Sequence, residues 1–141
     1  MTKSLFNEPW AVVFCRIALF VIYAWFGALK LMGASPAEPI VHSLFEKTIS
    51  FMSFDTFYML FAWFEVILGF LFLFPKATKL ATGLFILHMI STTMPLFVVP
   101  AMTWQTFPAL TLEGQYIVKN LALMACVATI ATLRSAKPAK A

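Results

Sequence analysis

The chain is built from long apolar runs separated by short polar connections. Each run holds the roughly 20 residues that an α-helix needs to cross a hydrocarbon core about 30 Å thick. The pattern predicts four transmembrane helices, at about Pro9 to Met32, Phe54 to Phe74, Thr78 to Val98 and Leu112 to Leu133.

Helix-end signals support these limits. Thr111 is a candidate N-cap, and Glu113 places a negative charge in the first turn, where the helix dipole favours it. Thr78 is a second candidate N-cap. Pro75 stops the second run and Pro95 disturbs the end of the third, because proline cannot continue the helical hydrogen bonds.

The connection between the first two runs has a helical pattern of its own. Apolar residues from Ile40 to Met52 fall on one face of a helix, while His42, Glu46 and Lys47 lie elsewhere on the wheel. This pattern predicts a short amphipathic helix on the outer membrane surface.

The connection between the last two runs is interrupted by Pro95, Pro100 and Pro108. Trp104 and Phe107 supply an aromatic anchor of the kind found at membrane interfaces. We expect this segment to fold back over the outer end of the bundle, and no β pattern is visible in the chain.

Composition supports a membrane protein. Of the 141 residues, 62% are hydrophobic and 11% are charged, whereas soluble domains hold about 25% charged residues. A globule of this length could not bury so much apolar surface. The predicted fold class is an all-α integral membrane four-helix bundle with a short outer-surface amphipathic helix, in one domain over residues 1–141 and surrounded by the lipid bilayer.

The charges are segregated along the chain. Basic residues outside the runs lie at the termini and between the second and third runs, at Lys3, Lys76, Lys79, Arg134, Lys137 and Lys140. The other connections are mainly acidic, with Glu38, Glu46, Asp55 and Glu113 against Lys47. The positive-inside rule therefore predicts a multi-pass protein of the bacterial inner membrane with both termini in the cytoplasm. Scattered charges without interleaved aromatic residues argue against nucleic-acid binding.

Known cofactor patterns are absent from the sequence. Cys15 and Cys126 both lie in apolar runs without paired spacing, so we expect two small buried side chains and neither a zinc site nor a dithiol motif. A haem held by two histidines is disfavoured because only His88 lies within a run. No glycine-rich phosphate or dinucleotide loop occurs.

Charged and titratable residues inside the runs are the candidate site. A charge at the bilayer centre costs about 2.5–3.5 kcal/mol, so such residues face the bundle interior and find partners. Glu65 and His88 fall near the midplane, while Arg16 and Lys119 lie roughly 7 Å to either side at 1.5 Å per residue. Lys30 lies near the outer end of the first run.

Arg16 and Glu65 are predicted to pair. Both lie on helix faces that also carry small residues, which allow close helix approach. The alternatives are that Arg16 and Lys30 extend to the headgroups, that His88 is a hydrogen-bonded core histidine, or that Lys119 pairs with Glu113. A structural Arg16–Glu65 clasp and a functional site both stay open at this stage.

Three segments carry a family resemblance. The first run has an arginine followed by G-A-L-K-L (Gly27 to Leu31), the second and third contain F-E-V-I-L-G-F-L-F-L-F-P-K-A-T-K-L-A-T-G (Phe64 to Gly83), and the fourth begins E-G-Q-Y-I-V-K-N (Glu113 to Asn120). With these segments, nearly the whole chain resembles the DoxX family of small four-helix membrane proteins, which includes a subunit of thiosulfate:quinone oxidoreductase and has relatives among reactive-chlorine-resistance membrane proteins.

The resemblance implies a redox or oxidative-stress function with quinone as the cofactor. In that hypothesis the catalytic residues are Arg16, Glu65 and His88, and the cofactor-binding residues are Tyr23, Lys30 and Lys119, with no metal. A soluble or membrane redox partner and a homo-oligomer are the expected partners. Two other functions stay open: a small proton-coupled transporter, since intramembrane carboxylates and histidines also mark such pathways, and a non-catalytic anchoring or assembly subunit.

Overall fold

The computed structural model describes the backbone of residues 8–135 and the side chains of residues 8–133. The basic residues Lys3, Lys137 and Lys140, on which the predicted orientation partly rests, lie outside the described residues. The chain is mostly helical, and four helical segments are long and apolar enough to cross a membrane: Trp10–Leu31, Phe54–Leu73, Pro75–Val98 and Leu112–Leu133. The four predicted helical segments are confirmed to within a few residues.

The elements follow one another in a simple up-and-down order. They are α1 (Trp10–Leu31), α2 (Glu38–Thr48), α3 (Phe54–Leu73), a 3₁₀ turn (Pro75–Ala77), α4 (Thr78–Thr93), α5 (Pro95–Val98), α6 (Pro100–Thr103), β1 (Trp104–Thr106), β2 (Ala109–Leu110) and α7 (Leu112–Ser135). The end of the bundle that holds α2, α5, α6 and the hairpin is called the loop end. The opposite end, where α1 begins and α3 turns into α4, is called the turn end.

The amphipathic segment forms the predicted helix but is shorter than expected. In α2, Ile40 and Phe45 are buried while Glu46 and Lys47 are exposed. The helix ends at Thr48 rather than Met52, because Ile49 is already extended (φ −126°, ψ 120°). The chain then leads into α3, whose first turn is capped by the hydroxyl of Ser53.

The proline-rich connection differs from the prediction in containing strands. Trp104–Thr106 and Ala109–Leu110 pair as a small antiparallel hairpin. Strands of three and two residues are too short to show an alternating pattern in the sequence. The indole nitrogen of Trp104 donates to the carbonyl of Leu96 at 3.0 Å, and Lys47 donates to the carbonyl of Val98 at 3.1 Å. The two connections are therefore linked at the loop end.

The predicted caps have different outcomes. Thr111 caps α7 by accepting from the amide of Gly114 at 3.2 Å, as expected. Thr78 is the first residue of α4 rather than its cap, since its hydroxyl donates to the carbonyl of Pro75 at 2.8 Å.

Helices α1 and α3 make the closest crossing of the bundle, and two glycines permit it. A Cβ at Gly27 would lie 2.7 Å from Val66 Cγ2 and 2.8 Å from the carbonyl of Ala62. A Cβ at Gly69 would lie 3.0 Å from the amide of Ala24. Backbone on one helix thus touches backbone on the other, which brings the polar groups of both helices within hydrogen-bonding reach.

Substitution of Gly27 by alanine should therefore destabilise the protein. The added methyl meets backbone that cannot move without separating the helices, and overpacking of this kind costs about 1–3 kcal/mol. Gly83→Ala is the matched control, because no atom lies within 4 Å of its added Cβ. Thermal unfolding in detergent should show a lower midpoint for Gly27→Ala and an equal or higher one for Gly83→Ala, and equal midpoints for both variants would contradict the close crossing.

Candidate functional site

A buried ion pair joins α1 to α3. The Nζ atom of Lys30 donates to Oε2 of Glu65 at 2.6 Å, and the two side chains are 4% and 6% exposed. Each of these buried charges is stabilised by the other, because removal of one partner from a buried ion pair lowers the free energy of unfolding by about 3–5 kcal/mol. Lys30 therefore does not extend to the protein surface, which corrects that alternative.

The direction of the Cα–Cβ bonds explains this pairing. Side chains on an α-helix lean toward its N-terminus. Helix α1 begins at the turn end, so Lys30 leans back into the bundle. Helix α3 begins at the loop end, so Glu65 leans toward Lys30. Each side chain approaches the other from the opposite direction.

Arg16 does not pair with Glu65, and the predicted clasp was wrong. The same lean directs Arg16 toward the turn end, away from Glu65. Its Nε and Nη2 atoms donate to the two carboxylate oxygens of Glu8 at 2.6 and 3.0 Å. This bidentate pair lies at the start of the described chain, and the Arg16 side chain is fully buried rather than extended to headgroups.

Arg16 also fastens the α3–α4 turn. Its Nη1 atom donates to the carbonyl of Phe72 and its Nη2 atom to the hydroxyl of Thr78, both at 3.0 Å. Phe72 lies in the last turn of α3, where carbonyls lack helical partners and a positive charge is favoured. Arg16 thus connects three segments of the turn end and is a structural residue of this fold.

His88 extends the Lys30–Glu65 pair into a network. Its Nε2 atom lies 3.1 Å from Oε1 of Glu65, and its Nδ1 atom lies 3.2 Å from the hydroxyl of Tyr23. The residues Tyr23, His88, Glu65 and Lys30 are called the buried network below. It joins α1, α3 and α4, and all four residues are buried.

The partners of His88 assign its tautomer. A carboxylate beside Lys30 can only accept, so Nε2 carries the hydrogen and donates to Glu65. In the neutral ring, Nδ1 then accepts from the hydroxyl of Tyr23. This arrangement gives both ring nitrogens of His88 a hydrogen-bond partner.

Aromatic rings enclose the network on the α3 side. The rings of Phe61 and Phe64 lie nearly parallel to the His88 ring, with centroids at 5.4 and 5.8 Å. The Nζ atom of Lys30 lies 5.4 Å from the centroid of Phe61, a favourable distance for a cation–π contact. Both phenylalanines are half-buried and therefore form the boundary between His88 and the bundle exterior.

Tyr58 supplies an unused polar atom near the loop end. Tyr58 is 8% exposed, and its hydroxyl makes no hydrogen bond of good geometry among the described residues, with the Ser35 side chain as a nearby polar group. Tyr58 lies two helical turns before Glu65 on the same face of α3. A buried hydroxyl without a partner costs free energy, so it marks a position where a ligand acceptor would be favoured.

Lys119 lies apart from the network. It is exposed on α7, with its Nζ atom 5.0 Å from the ring centroid of Tyr116. Among residues 8–133 no carboxylate forms an ion pair with it, so the Glu113 alternative is not formed. The structure thus joins four of the six predicted site residues and separates Arg16 and Lys119 from them.

Two contributors were missed in the sequence. Glu8 precedes the first apolar run and was not considered as a partner, although an acid two turns before a buried arginine is a usable signal. Tyr58 lies seven residues before Glu65, a spacing that puts both on one helix face, but it was not assigned a role. In the described part of the chain, no group of three or more His, Cys, Asp or Glu side chains could hold a metal ion.

The three comparisons with known proteins gave the same result. Neither the protein-family models, nor the curated proteins, nor the solved structures contain a match to this chain.

Proposed function

We propose that this chain is a DoxX-like, quinone-interacting membrane protein in which the buried network handles protons. Four apolar helices are typical of a multi-pass membrane protein. The observation that carries the proposal is His88, which is hydrogen-bonded through both ring nitrogens to a hydroxyl and to a carboxylate. Titratable groups connected in series inside a membrane domain are the arrangement that proton transfer requires.

The depth of the network suits such a role. Glu65 lies eleven residues into α3, roughly 16 Å from its first residue at 1.5 Å per residue. In a hydrocarbon core about 30 Å thick, that position is close to the midplane. Water cannot supply protons directly at this depth, so protein groups must carry them.

The donors available fit a quinone. A quinone headgroup is a planar ring whose carbonyl oxygens accept hydrogen bonds and whose reduction takes up two electrons and two protons. Tyr58 offers a buried O–H without an acceptor. Phe61 and Phe64 offer ring faces at the border of His88. Donors at the edge and aromatic rings at the faces are the chemistry that binds such a headgroup.

The residues of the network have distinct tasks. Lys30 holds Glu65 in place, and Glu65 in turn orients His88 through Nε2. Tyr23 can donate to Nδ1 of the neutral ring and accept from it once that nitrogen is protonated, by rotation of its hydroxyl. A proton that enters at Nδ1 adds one positive charge to the network, which the carboxylate of Glu65 contacts directly.

A second candidate function is a small proton-coupled carrier. The observation in its favour is an open cleft at the loop end, adjacent to α2 and lined by Ser35, Pro36, Glu38, Pro39, His42 and Ser43. Tyr58 lies between this end of α3 and Glu65. Polar groups that continue from a surface cleft toward a buried carboxylate also suit a proton pathway.

The proposed orientation places the turn end in the cytoplasm of a bacterial inner membrane. Lys76 lies in the α3–α4 turn and Lys79 in the first turn of α4, whereas the loop end carries Glu38, Glu46 and Asp55. Basic residues are retained on the cytoplasmic side during insertion. In this orientation α2 lies on the outer membrane surface. A non-catalytic anchoring or assembly subunit is a third candidate function, in which the buried charges only hold the helices together.

The orientation predicts the behaviour of reporter fusions. A fusion after Lys79 or after Ala141 should be active only as a cytoplasmic reporter. A fusion after Glu46 should be active only as a periplasmic one. A periplasmic signal from the Ala141 fusion would reverse the orientation.

Quinone binding should depend on Tyr58. In lipid nanodiscs, Tyr58→Phe should weaken binding of a short-chain ubiquinone about 2- to 10-fold, the equivalent of one hydrogen bond. Only a weak interaction of the hydroxyl with Ser35 is lost, so folding should change little. Tyr116→Phe, on the exposed face of α7, is the matched control and should bind like wild type. The measurement is the quinone retained by purified protein and extracted for quantification.

The same binding measurement separates a site from a structural clasp. Replacement of Lys30 by methionine and of Glu65 by leucine removes the two buried charges together but leaves Nε2 of His88 without its acceptor, so we expect a cost of about 1–3 kcal/mol. If the network is only a clasp, the folded double variant will keep wild-type quinone binding. The proposal predicts loss of binding, and undetectable binding by wild type would favour the carrier function instead.

A further inference from the structure

The two cysteines of the chain meet at the α1–α7 interface. Cys15 lies on α1 and Cys126 on α7, 111 residues apart in the sequence, and both are half-buried against the same core cluster. Helices α1 and α7 pack against each other, and the thiols of Cys15 and Cys126 are near neighbours across the seam between them. The sequence predicted two unrelated small hydrophobic residues, and the fold places them together.

The depth of the two residues agrees with this contact. Cys15 follows the first residue of α1 by five positions, and Cys126 precedes Leu133 by seven. At 1.5 Å per residue these positions lie roughly 8 and 10 Å from the turn end. The two helices run in opposite directions, so the thiols face each other at one level of the bundle.

We propose that Cys15 and Cys126 form a redox-active dithiol that closes reversibly to a disulfide, with quinone as the electron acceptor. In the closing reaction both Sγ–H bonds break and one Sγ–Sγ bond forms. The two electrons and two protons pass to the quinone, which leaves as the hydroquinone. The choice of acceptor rests on the proposed function, whereas the closing of the pair does not.

The surroundings of the pair suit this chemistry. Neither cysteine is fully buried, so a hydrophobic oxidant dissolved in the acyl-chain region can reach the seam between the two helices. Helix α7 is also the least buried of the four long helices. A covalent bond to α1 would hold that helix in place, and the redox state of the pair would set how firmly α7 is attached.

The test is alkylation and intact-mass analysis of the protein in nanodiscs. Reduced wild-type protein should take up maleimide at both thiols. After incubation with ubiquinone, and separately with copper–phenanthroline, most of the protein should resist alkylation and be lighter by two hydrogen atoms. A thiol reductant should restore both alkylation sites.

Controls and outcomes separate the two parts of the proposal. Cys15→Ser and Cys126→Ser should each keep one thiol that stays alkylatable within monomers after either oxidant. Closure by copper–phenanthroline but not by quinone would overturn quinone as the acceptor. Failure of both oxidants to close the wild-type pair, in protein that retains its helical circular dichroism, would overturn the dithiol itself. Unchanged quinone binding by the double serine variant would leave the proposed function intact.

Discussion

The compensation of the Glu65 charge is the constraint on which the interior of this protein depends. An isolated carboxylate in an apolar core is strongly disfavoured, and here it accepts from Lys30 at 2.6 Å and from His88 at 3.1 Å. Those two donors come from α1 and α4, so one carboxylate fixes the relative positions of three helices. His88 is in turn oriented by Tyr23, which returns the network to α1.

Close helix packing makes this compensation geometrically possible. Gly27 and Gly69 let the backbones of α1 and α3 touch, and the touching faces carry Lys30 and Glu65. At the turn end, Arg16 performs the complementary task, because it joins Glu8 to the last turn of α3. The bundle thus has a buried hydrogen-bonded network at mid-height and a separate ion pair at one end.

The sequence was sufficient for the helices but not for the choice of partners. Apolar runs and helix-end residues located the helices. The free-energy cost of placing a charged or polar side chain in a membrane identified Arg16, Glu65 and His88 as residues that require partners. Pairing was then predicted from Cα depth and from the small residues on both helix faces, which together bring Arg16 near Glu65. The tilt of side chains toward the helix N-terminus reverses the predicted pairing, because it directs Arg16 to the turn end and Lys30 into the bundle. The meeting of Cys15 with Cys126 depends on how α7 packs against α1, which no local pattern encodes.

The protonation of His88 tests the account most directly. Replacement of His42 by glutamine leaves His88 as the single histidine of the described chain, so nitrogen-15 NMR of labelled protein in nanodiscs reports on one ring. The account predicts that the neutral ring carries its hydrogen at Nε2, with Nδ1 unprotonated and accepting a hydrogen bond that Tyr23→Phe removes. A ring protonated at Nδ1 alone, or one whose nitrogens are unaffected by Glu65→Gln and Tyr23→Phe, would contradict it.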